Sequence, residues 1–392
     1  MDGFVKKIWD IKAVRYAVTA LLAAMALISL IQGIRNAAGA SQDFQWDAAK
    51  ALSMRLDPYD LSLDPKKALQ YPPLAGFYKM FTDKGLKQDM EANQFPSLLF
   101  LLYPYTLLPP LAARYAWIIS NLIFTAGIIF LLRRTFLKDA DRDIFIAFML
   151  LMIAGTPYRN QLGVGQHTLF SFFFFLLAVW FSEEKEGKAG FFGTVVCLFI
   201  CYFKYTLTVP LCLYFIYKKR YPEIIVSAGL HVILTVLSAF WLSDSVINMI
   251  LKPLKVASAL AAEGGLDFGA LLNGSPLAYI LALAVMAGLF VLALRLSEGH
   301  DGEYISVLIL WSLIITYHRT YDFFVLVTVL AFFLAGRKAS GLKVLFAITL
   351  VAVFFGLRIF SESPASKAAA GAIYYIFTVC ATYGIVRVKD GN

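Results

Sequence analysis

Apolar stretches long enough to cross a membrane recur through most of this chain, and only short polar links separate them. Inside a bilayer every backbone N–H and C=O must be hydrogen-bonded within the segment, so an apolar run of about 20 residues crosses as a helix. Of the 392 residues, 60% are hydrophobic and 16% charged, whereas soluble domains carry about 25% charged residues. The pattern predicts an all-α polytopic membrane protein that forms a single integral membrane domain, residues 1–392.

The basic residues predict how the chain crosses the membrane. The formal net charge of +9 comes from Lys and Arg in the links between apolar runs, which is a topology signal and not a nucleic-acid-binding surface. Basic residues precede the first apolar run, 16–34, at Lys6, Lys7, Lys12 and Arg15. We therefore expect an uncleaved signal anchor and about twelve spans in the cell (inner) membrane, with both termini cytoplasmic.

Two apolar runs do not fit a single straight span. Residues 95–108 are too short to cross and contain Pro96 and Pro104, which favours an interfacial or re-entrant segment. Residues 191–217 are interrupted by Lys204, and could form one long helix or two short helices that meet near it. The charges on both flanks favour the second arrangement, a broken hairpin with Lys204 at its turn. A lysine at mid-bilayer costs about 2.5–3.5 kcal/mol, so we expect Lys204 either to have a partner or to extend its ammonium to water.

With the amino terminus inside, residues 35–94 form the first and largest extracytoplasmic loop, and residues 243–275 form the second. The first loop gathers acids, aromatic residues and prolines, most densely in residues 42–73. Residues 47–54 have helix-forming spacing, and the prolines that follow break any long helix. We expect short interfacial helices that lie along the membrane surface.

Polar residues from separate parts of the chain fall on the external side in this topology: Asp43, Tyr71, Gln166, Lys204, His318, Arg319 and Asp322. They would converge only if the bundle encloses a water-accessible cavity at that face. Residues 139–143 have the Asp-x-Asp spacing of some metal-binding sites, but they lie beside basic residues just before the next span. We interpret them as a solvated, helix-capping loop and expect no metal site.

A series of short motifs occurs in order along the chain: Asp43-Phe44-Gln45-Trp46 with Ala48-Ala49, Asp57-Pro58-Tyr59, Tyr71-Pro72-Pro73, Leu107-Leu108-Pro109, Gly165-Gln166, Lys204 and Tyr321-Asp322. This succession, which covers most of the chain, resembles that of glycosyltransferase family 87. These are polyprenyl-phosphate-dependent α-mannosyltransferase-like proteins with the GT-C membrane fold. The resemblance implies a GT-C-type bundle, a lipid-linked sugar donor, inversion at the anomeric carbon and a catalytic aspartate in the first loop, at Asp43.

The chemistry of such a transfer assigns roles to the candidate residues. A carboxylate can take the proton of the acceptor hydroxyl as its oxygen attacks the sugar carbon, which is the role of Asp43. Asp47 is the rival base, and it could equally cap the helix that begins there. The leaving phosphate needs cationic donors, for which the candidates are Arg319, Lys204 and His318.

Alternatives remain open for several of these residues. Asp322 could orient Arg319, pair with it structurally or bind sugar, and His318 could be no more than a satisfied interfacial histidine. The aromatic candidates could stack on sugar rings, although such residues at a bilayer interface are usually anchors. The candidate substrate-binding residues are Asp47, Trp46, Tyr59, Tyr71, Gln166, Lys204, His318, Arg319 and Asp322.

These features predict a glycosyltransferase that moves a hexose, with mannose as the first candidate, from a polyprenyl phosphate to an extracytoplasmic glycan or glycolipid. The lipid-linked sugar is a co-substrate, membrane lipids surround the protein, and no metal or other cofactor is expected. The alternative is a transporter or flippase of a lipid-linked glycan, which also needs a polar cavity among its spans. That alternative predicts internal repeats and charges near mid-bilayer, whereas here no repeat is evident and the charges gather at one face.

Overall fold

The structure, a computed structural model, describes residues 9, 11–39, 44–86, 88–260, 266–272, 274–296, 299–335, 350–352, 354–355 and 364–387. Within these ranges the chain is helical with connecting turns and contains no strand, which confirms the all-α prediction. The proposed base Asp43 and most of the predicted span 345–357 lie outside the described residues.

The helices of the first loop and its surroundings are short, and those that follow are longer. In chain order they are α1 Lys12–Gly39, α2 Trp46–Ser53, α3 Pro58–Leu63, α4 Pro65–Ala68, α5 Pro72–Thr82, α6 Pro96–Leu99, α7 Tyr103–Thr106, α8 Pro110–Thr135, α9 Arg142–Ala154, α10 Thr156–Val164, α11 Thr168–Glu184, α12 Gly187–Cys201, α13 Tyr205–Leu211, α14 Leu213–Tyr217, α15 Tyr221–Leu242, α16 Val246–Leu260, α17 Phe268–Leu271, α18 Pro276–Arg295, α19 Asp301–Ile315, α20 Leu326–Ala335 and α21 Pro364–Arg387.

Five helical runs of the described chain are long and apolar enough to cross a membrane. They are α1, α8, α15, α18 and the run Gly187–Leu211, which contains α12 and α13. A sixth is present if α10 and α11, which bend by 111° at the break between them, count as one crossing. The chain is therefore a multi-pass membrane protein. The expected number of about twelve spans is larger than the five or six found among the described residues, and it stays a prediction.

The segment around Lys204 is the broken hairpin that the charge pattern favoured. The 3₁₀ turn Tyr202–Lys204 follows α12, and Lys204 has ψ 68°, outside the helical region. After α13 and α14, the ammonium of Lys218 lies 2.8 Å from the carboxylate of Glu183, which precedes α12. The chain has therefore returned to the end from which α12 started. The run Gly187–Leu211 is not one straight crossing, and Lys204 lies at its turn.

Residues 95–108 form no continuous helix, as predicted. The segment consists of α6, a 3₁₀ turn at Phe100–Leu102 and α7. Pro96 and Pro104 stand in the first positions of α6 and α7, where a missing N–H is tolerated. The prolines thus divide the apolar run into short pieces that connect the first loop to α8.

One set of ion pairs joins segments that the topology places in the cytoplasm. Lys218, after α14, lies 2.8 Å from Glu183 and 3.0 Å from Asp301 at the beginning of α19. Arg134 at the end of α8 lies 3.8 Å from Glu184. These segments therefore share one end of the bundle.

A second set of ion pairs joins the two predicted extracytoplasmic loops. Lys252 in α16 lies 2.6 Å from Asp57 and 3.0 Å from Asp60, both in the first loop. It also lies 2.9 Å from Asp244, which precedes α16. The first and second loops are therefore in contact, as their placement on one side of the membrane requires.

The short helices of the first loop pack against one another and against the bundle, and their expected position along the membrane surface stays a prediction. Trp46, Tyr59 and Phe81 are buried in one apolar cluster with Trp117 of α8 and Phe203 of the hairpin turn. Aromatic rings bury much apolar area when they contact one another, and a packed cluster therefore satisfies the same residues that would suit an interface.

In the second loop, α16 has an apolar outer face. Its exposed side chains include Ile247, Leu251 and Leu254, while Met249 is buried. Such a helix has the pattern of a segment that lies in the membrane interface. The sequence placed this segment in an external loop without predicting a helix there.

α1 extends to Gly39, so Arg35, the predicted first residue of the first loop, is helical. The helix packs against α10, where a methyl group on Gly163 would meet Asn36 Cβ at 3.2 Å and the Cα atom of Gly33 at 3.7 Å. A small residue allows the two backbones this close approach.

Replacing Lys252 with Met is expected to loosen the contact between the two loops, because Asp57, Asp60 and Asp244 then face one another without a cation. We expect a loss of about 1 kcal/mol in the free energy of unfolding, since the pairs are partly solvated. Hydrogen bonds from Lys252 and Asn248 lower the pKa of Asp244 to about 2. That carboxylate stabilises the fold above its ordinary pKa of 3.8 and loses this contribution as the pH falls toward 2.

The measurement is thermal unfolding in detergent of wild type and Lys252→Met, with Lys255→Met as the matched control on the same helix. The difference in midpoint between wild type and Lys252→Met should be largest at neutral pH and should shrink between about pH 4 and pH 2. An equal effect of Lys255→Met, or a difference that persists at pH 2, would contradict this interpretation.

Candidate functional site

Four side chains from three parts of the chain gather around the carboxylate of Asp322, at the turn of the hairpin. Its Oδ1 accepts a hydrogen bond from Thr168 Oγ1 at 2.5 Å and lies 2.7 Å from Lys204 Nζ. Its Oδ2 lies 3.0 Å from His318 Nδ1. Lys204 Nζ also donates to Gln166 Oε1 at 3.1 Å. We refer to Gln166, Thr168, Lys204, His318 and Asp322 as the Asp322 cluster.

Both charges of the central ion pair are buried. The side chain of Lys204 is 10% exposed and that of Asp322 is 3% exposed. Attraction between two buried charges offsets their desolvation only when their other donors and acceptors are also bonded, and the remaining members of the cluster provide those bonds. The Lys204 ammonium also lies 4.9 Å from the ring centroid of Tyr321. The expectation that Lys204 has a partner is confirmed, and the alternative of extension to water is not what the structure shows.

Breaks in regular helix place the two charges. Lys204 ends the 3₁₀ turn of the hairpin, and Asp322 begins another 3₁₀ helix, Asp322–Val325. The backbone N–H of Lys204 donates to Ser171 Oγ at 3.1 Å, and Thr208 Oγ1 donates to the carbonyl of Lys204 at 3.0 Å. Side chains thus supply the hydrogen bonds that the interrupted helix leaves unmade, which an apolar environment requires.

His318 is buried and links Thr316 to Asp322 through its two ring nitrogens. Its Nδ1 faces Asp322, and its Nε2 lies 2.9 Å from Thr316 Oγ1, so both ring nitrogens have partners. Its side chain is 0% exposed. The geometry favours the alternative of a satisfied histidine, which acts by orienting the carboxylate.

Arg319 and Tyr317 border the cluster. The backbone N–H of Arg319 donates to Asp322 Oδ2 at 3.2 Å, and its Nε donates to the hydroxyl of Tyr317 at 2.6 Å. Burial raises the pKa of Tyr317; the hydrogen bond and charge of Arg319 oppose this shift, and the carboxylates of Asp267 and Asp322 add to it. The ion-pair partner of Asp322 is Lys204, whereas pairing with Arg319 was one of the alternatives that the sequence left open.

The short connection between α10 and α11 joins the cluster to the first loop. Gly165 ends α10 with φ +75°, a conformation that favours glycine, and the chain bends by 111°. Of the three residues that follow, Gln166 and Thr168 belong to the Asp322 cluster. Between them, His167 Nε2 lies 3.1 Å from the carbonyl oxygen of Phe44, which comes directly after the proposed base.

Phe44 and the two residues after it are held at separate points. The ring of Phe44 stacks on Trp117 with centroids 4.8 Å apart. Gln45 adopts φ +60° and donates from its amide to the carbonyl of Glu91 at 2.6 Å. Trp46 Nε1 donates to a backbone carbonyl of α7 at 3.1 Å. The beginning of the first loop is therefore fixed against α7, α8 and the connection before α11.

The predicted aromatic candidates lie within or beside the apolar cluster of the first loop. Trp46 is 2% exposed and stacks on Phe77 at 5.3 Å. Tyr59 is fully buried, and its hydroxyl donates to the carbonyl of Gln94 at 2.8 Å. Tyr71 is half-buried just before α5. The structure gives the first two a packing role, and the assignment of all three to sugar binding stays a prediction.

Asp47 is buried in the first turn of α2. Its Oδ2 accepts from the hydroxyl of Tyr78 at 2.8 Å, and its Oδ1 accepts from the backbone N–H of Ala48 at 2.9 Å. Gln45 occupies the N-cap position without a side-chain cap bond, and Asp47, two residues later, satisfies a first-turn backbone N–H. Burial and then the charge of Asp47 raise the pKa of Tyr78, which keeps its hydroxyl as a donor. Asp47 is thus committed to contacts within the loop.

Asp267 is a buried carboxylate near the site. The sequence located it in the second loop and gave it no functional role. Its Oδ1 caps α17 by accepting from the backbone N–H of Ala270 at 3.2 Å. The residue is 4% exposed, and its Oδ2 has no hydrogen-bond partner within the described part of the chain. A buried oxygen without a partner is costly, so it is suited to receive a hydroxyl from a bound molecule. In the sequence, only its position just before a short helix could have drawn attention to Asp267.

An apolar cavity of about 580 Å³ lies beside the hairpin turn. Its lining includes Tyr205, which follows Lys204 in the chain, and side chains of α6, α13, α14, α15, α16 and α18. Polar groups are few there; one of them, His231, has Nε2 2.9 Å from the carbonyl of Phe199. The cavity offers an apolar ligand a site beside the hairpin turn, and its lining includes none of the side chains of the Asp322 cluster.

The acidic segment before α9 is a solvated loop, as expected. Asp139 and Asp141 are exposed, and Asp143 lies 3.0 Å from Arg15. Asp141 occupies the N-cap position but makes no side-chain cap bond. Among the residues that the structure describes, no three His, Cys, Asp or Glu residues are placed to share a metal ion.

Removing one partner of the buried pair is expected to be more damaging than removing both. Asp322→Leu leaves the Lys204 ammonium buried without its counter-charge, at a cost of about 3–5 kcal/mol. The double variant Lys204→Met/Asp322→Leu replaces the pair by apolar groups of similar size and should recover most of that loss. The thermal unfolding midpoint in detergent compares the two variants with wild type. A double variant no more stable than Asp322→Leu would show that the pair is not the dominant interaction here.

Similarity to a known protein family was found over the helices that follow the first loop. A family model described as Glycosyltransferase family 87 matches residues 96–318, more than half of the chain. The matched stretch begins after the first loop and includes Gln166, Thr168, Lys204 and His318 of the Asp322 cluster. Comparisons with curated proteins and with solved structures found no match. The chain belongs to glycosyltransferase family 87 and is a membrane glycosyltransferase.

Proposed function

We propose that this glycosyltransferase moves a hexose, with mannose as the first candidate, from a polyprenyl-phosphate donor to an extracytoplasmic glycan or glycolipid, with inversion and without a metal. The observation that carries the proposal is the buried Lys204–Asp322 pair, 2.7 Å apart, at the hairpin turn against which the first loop is held. A cation fixed there, beside a loop that carries acids, supplies the two groups that such a transfer needs.

Lys204 is the proposed phosphate donor group. An ammonium has three N–H donors, and within the described residues two of them bind Asp322 and Gln166. The third is available to a phosphate oxygen. Asp322 fixes the direction of the ammonium, and Arg319 adds a second positive charge at the edge of the cluster. Lys204 and Arg319 offset the charges of Asp322 and the nearby Asp267, and their N–H donors can bind an anionic leaving group.

The apolar cavity supports a lipid-linked donor. It begins at Tyr205, beside Lys204, so that a phosphate at the ammonium would have its prenyl chain next to an apolar surface. The prenyl chain comes from the apolar bilayer and stays in apolar surroundings in the cavity, while the charged group lies at the cluster. A nucleotide sugar has no comparable apolar part.

In the proposed transfer, the acceptor oxygen forms a bond to the anomeric carbon as the bond from that carbon to the phosphate oxygen breaks. The electron pair of the broken bond remains on the phosphate, whose charge becomes more negative near Lys204. The proton of the acceptor hydroxyl goes to a carboxylate, for which we propose Asp43. Asp47 is the weaker candidate because Tyr78 and the backbone of α2 already occupy its oxygens.

The proposal includes a GT-C-type bundle of about twelve spans with both termini in the cytoplasm of a cell (inner) membrane. The two sets of ion pairs support the grouping of loops on which it depends. Residues 35–94 and 243–275 contact each other through Lys252, and the segments predicted to be cytoplasmic meet around Lys218. The active site then lies on the extracytoplasmic face, in one domain spanning residues 1–392.

The test uses purified protein in detergent, a panel of radiolabelled polyprenyl-phosphate sugars and a membrane glycolipid extract as acceptor. Asp43→Asn should lower kcat by about 10²–10⁴-fold, because the amide cannot accept the proton. Asp47→Asn is the matched control, since its amide oxygen still accepts from Tyr78, and it should retain activity within about tenfold of wild type. Size-exclusion profiles and unfolding midpoints check that both variants are folded.

Two results would oppose the proposal. Full activity in Asp43→Asn with loss in Asp47→Asn would assign the base to Asp47. Absence of transfer by wild type from every donor, together with translocation of a lipid-linked glycan in vesicles, would instead favour a flippase.

A further inference from the structure

Three consecutive residues between α10 and α11 bind three different parts of the protein. Gln166 accepts from Lys204, Thr168 donates to Asp322, and between them His167 contacts the carbonyl oxygen of Phe44. The first two contacts define the cationic cluster, and the third reaches the beginning of the first loop. One short segment therefore sets the distance between the loop and the cluster.

His167 is held so that its ring cannot turn away from this contact. It is 2% exposed, with ring centroids 5.3 Å from Trp117 and 4.4 Å from Phe203. A carbonyl oxygen only accepts hydrogen bonds, so Nε2 carries the proton in the contact with Phe44. The packing of Phe44 on Trp117 brings the loop close, while the hydrogen bond fixes its direction.

We propose that His167 is a positioning residue: its Nε2–H fixes the carbonyl of Phe44, and thereby the start of the first loop, against the Asp322 cluster. This inference rests on the proposed function, in which the loop supplies the base and the cluster binds the donor phosphate. His167 contacts neither substrate in this scheme. It acts by holding the two halves of the site at the separation that transfer requires.

The local backbone fixes the direction in which the side chain of His167 points. Gly165 allows the sharp turn after α10, and Trp117 Nε1 donates to the carbonyl of Gly165 at 2.8 Å. The turn therefore presents Gln166, His167 and Thr168 in fixed directions. A buried imidazole N–H requires an acceptor, and the turn directs this one to the carbonyl of Phe44 in the first loop.

The experiment compares His167→Leu with His167→Gln. Leucine fills the space but removes the donor, whereas the side-chain amide of glutamine supplies an N–H at a similar distance from the backbone. We expect His167→Leu to lower kcat by about 10²-fold, as a displacement of about 1 Å can. The donor KM should change less than about threefold, because Lys204 and Gln166 remain. His167→Gln should recover at least a tenfold part of the lost kcat.

A second readout does not depend on turnover. Backbone hydrogen–deuterium exchange in residues 44–53 should be faster in His167→Leu than in wild type and close to wild type in His167→Gln. The matched control is His231→Leu, which also removes an imidazole bonded to a backbone carbonyl but lies in α15. It should leave exchange in residues 44–53 unchanged.

Equal loss of kcat and of donor affinity in both His167 variants, with unchanged exchange in residues 44–53, would overturn the inference and assign His167 to the core alone. Wild-type kcat in a folded His167→Leu protein would overturn it as well. If wild type transfers no sugar from any donor, the proposed function fails, and the exchange measurement still reports on the contact itself. Faster exchange in residues 44–53 of His167→Leu that is restored in His167→Gln supports the positioning role of His167, and unchanged exchange in His167→Leu overturns it.

Discussion

The burial of a lysine ammonium in an apolar hairpin is the constraint on which the rest of this site depends. Lys204 lies where neither the hairpin nor its flanking helices provide a counter-charge, so an acid has to come from a distant part of the chain. Asp322, which begins a 3₁₀ helix after α19, fulfils that requirement at 2.7 Å. The pair thereby joins the hairpin to the later helices, and Gln166 and Thr168 extend the connection to α11.

The first loop is built onto the same place. Its aromatic residues form a cluster with Trp117 and Phe203, and Phe203 immediately precedes Lys204. Lys252 then connects the loop to α16, whose outer face is apolar. A charged pair, an aromatic cluster and a membrane-facing helix thus surround one end of the bundle. This arrangement places a cation, an apolar cavity and an acid-bearing loop together, which is what transfer from a lipid phosphate requires.

Much of this organisation could be predicted from the sequence, and the remainder depends on information that residue patterns do not carry. The break at Lys204 followed from the cost of a charge within an apolar run and from the charges flanking it. The convergence of Gln166, Lys204, His318 and Asp322 followed from the alternation of loops. That Asp322 pairs with Lys204 and not with the nearby Arg319 could not be predicted, because periodicity does not show which cation a buried carboxylate approaches.

Other features were missed for separate physical reasons. His167 binds a backbone carbonyl, and an acceptor that every residue possesses leaves no signal in the sequence. Trp46 and Tyr59 fit a membrane interface and a packed core equally well by composition, and the structure buries them. The exposed apolar face of α16 is visible in the spacing of its residues, but the sequence pattern assigned the whole of residues 243–275 to an external loop and predicted no helix there.

The central claim is that Lys204, held by Asp322, binds the donor phosphate. The most direct measurement is a cryo-electron microscopy structure of the protein in lipid nanodiscs with a polyprenyl phosphate. The account predicts a phosphate oxygen about 2.7–2.9 Å from Lys204 Nζ, with the prenyl chain in the cavity beside Tyr205 and the Lys204–Asp322 pair intact. A phosphate bound instead at the opposite end, near Lys218 and Arg220, with no density at Lys204, would contradict it.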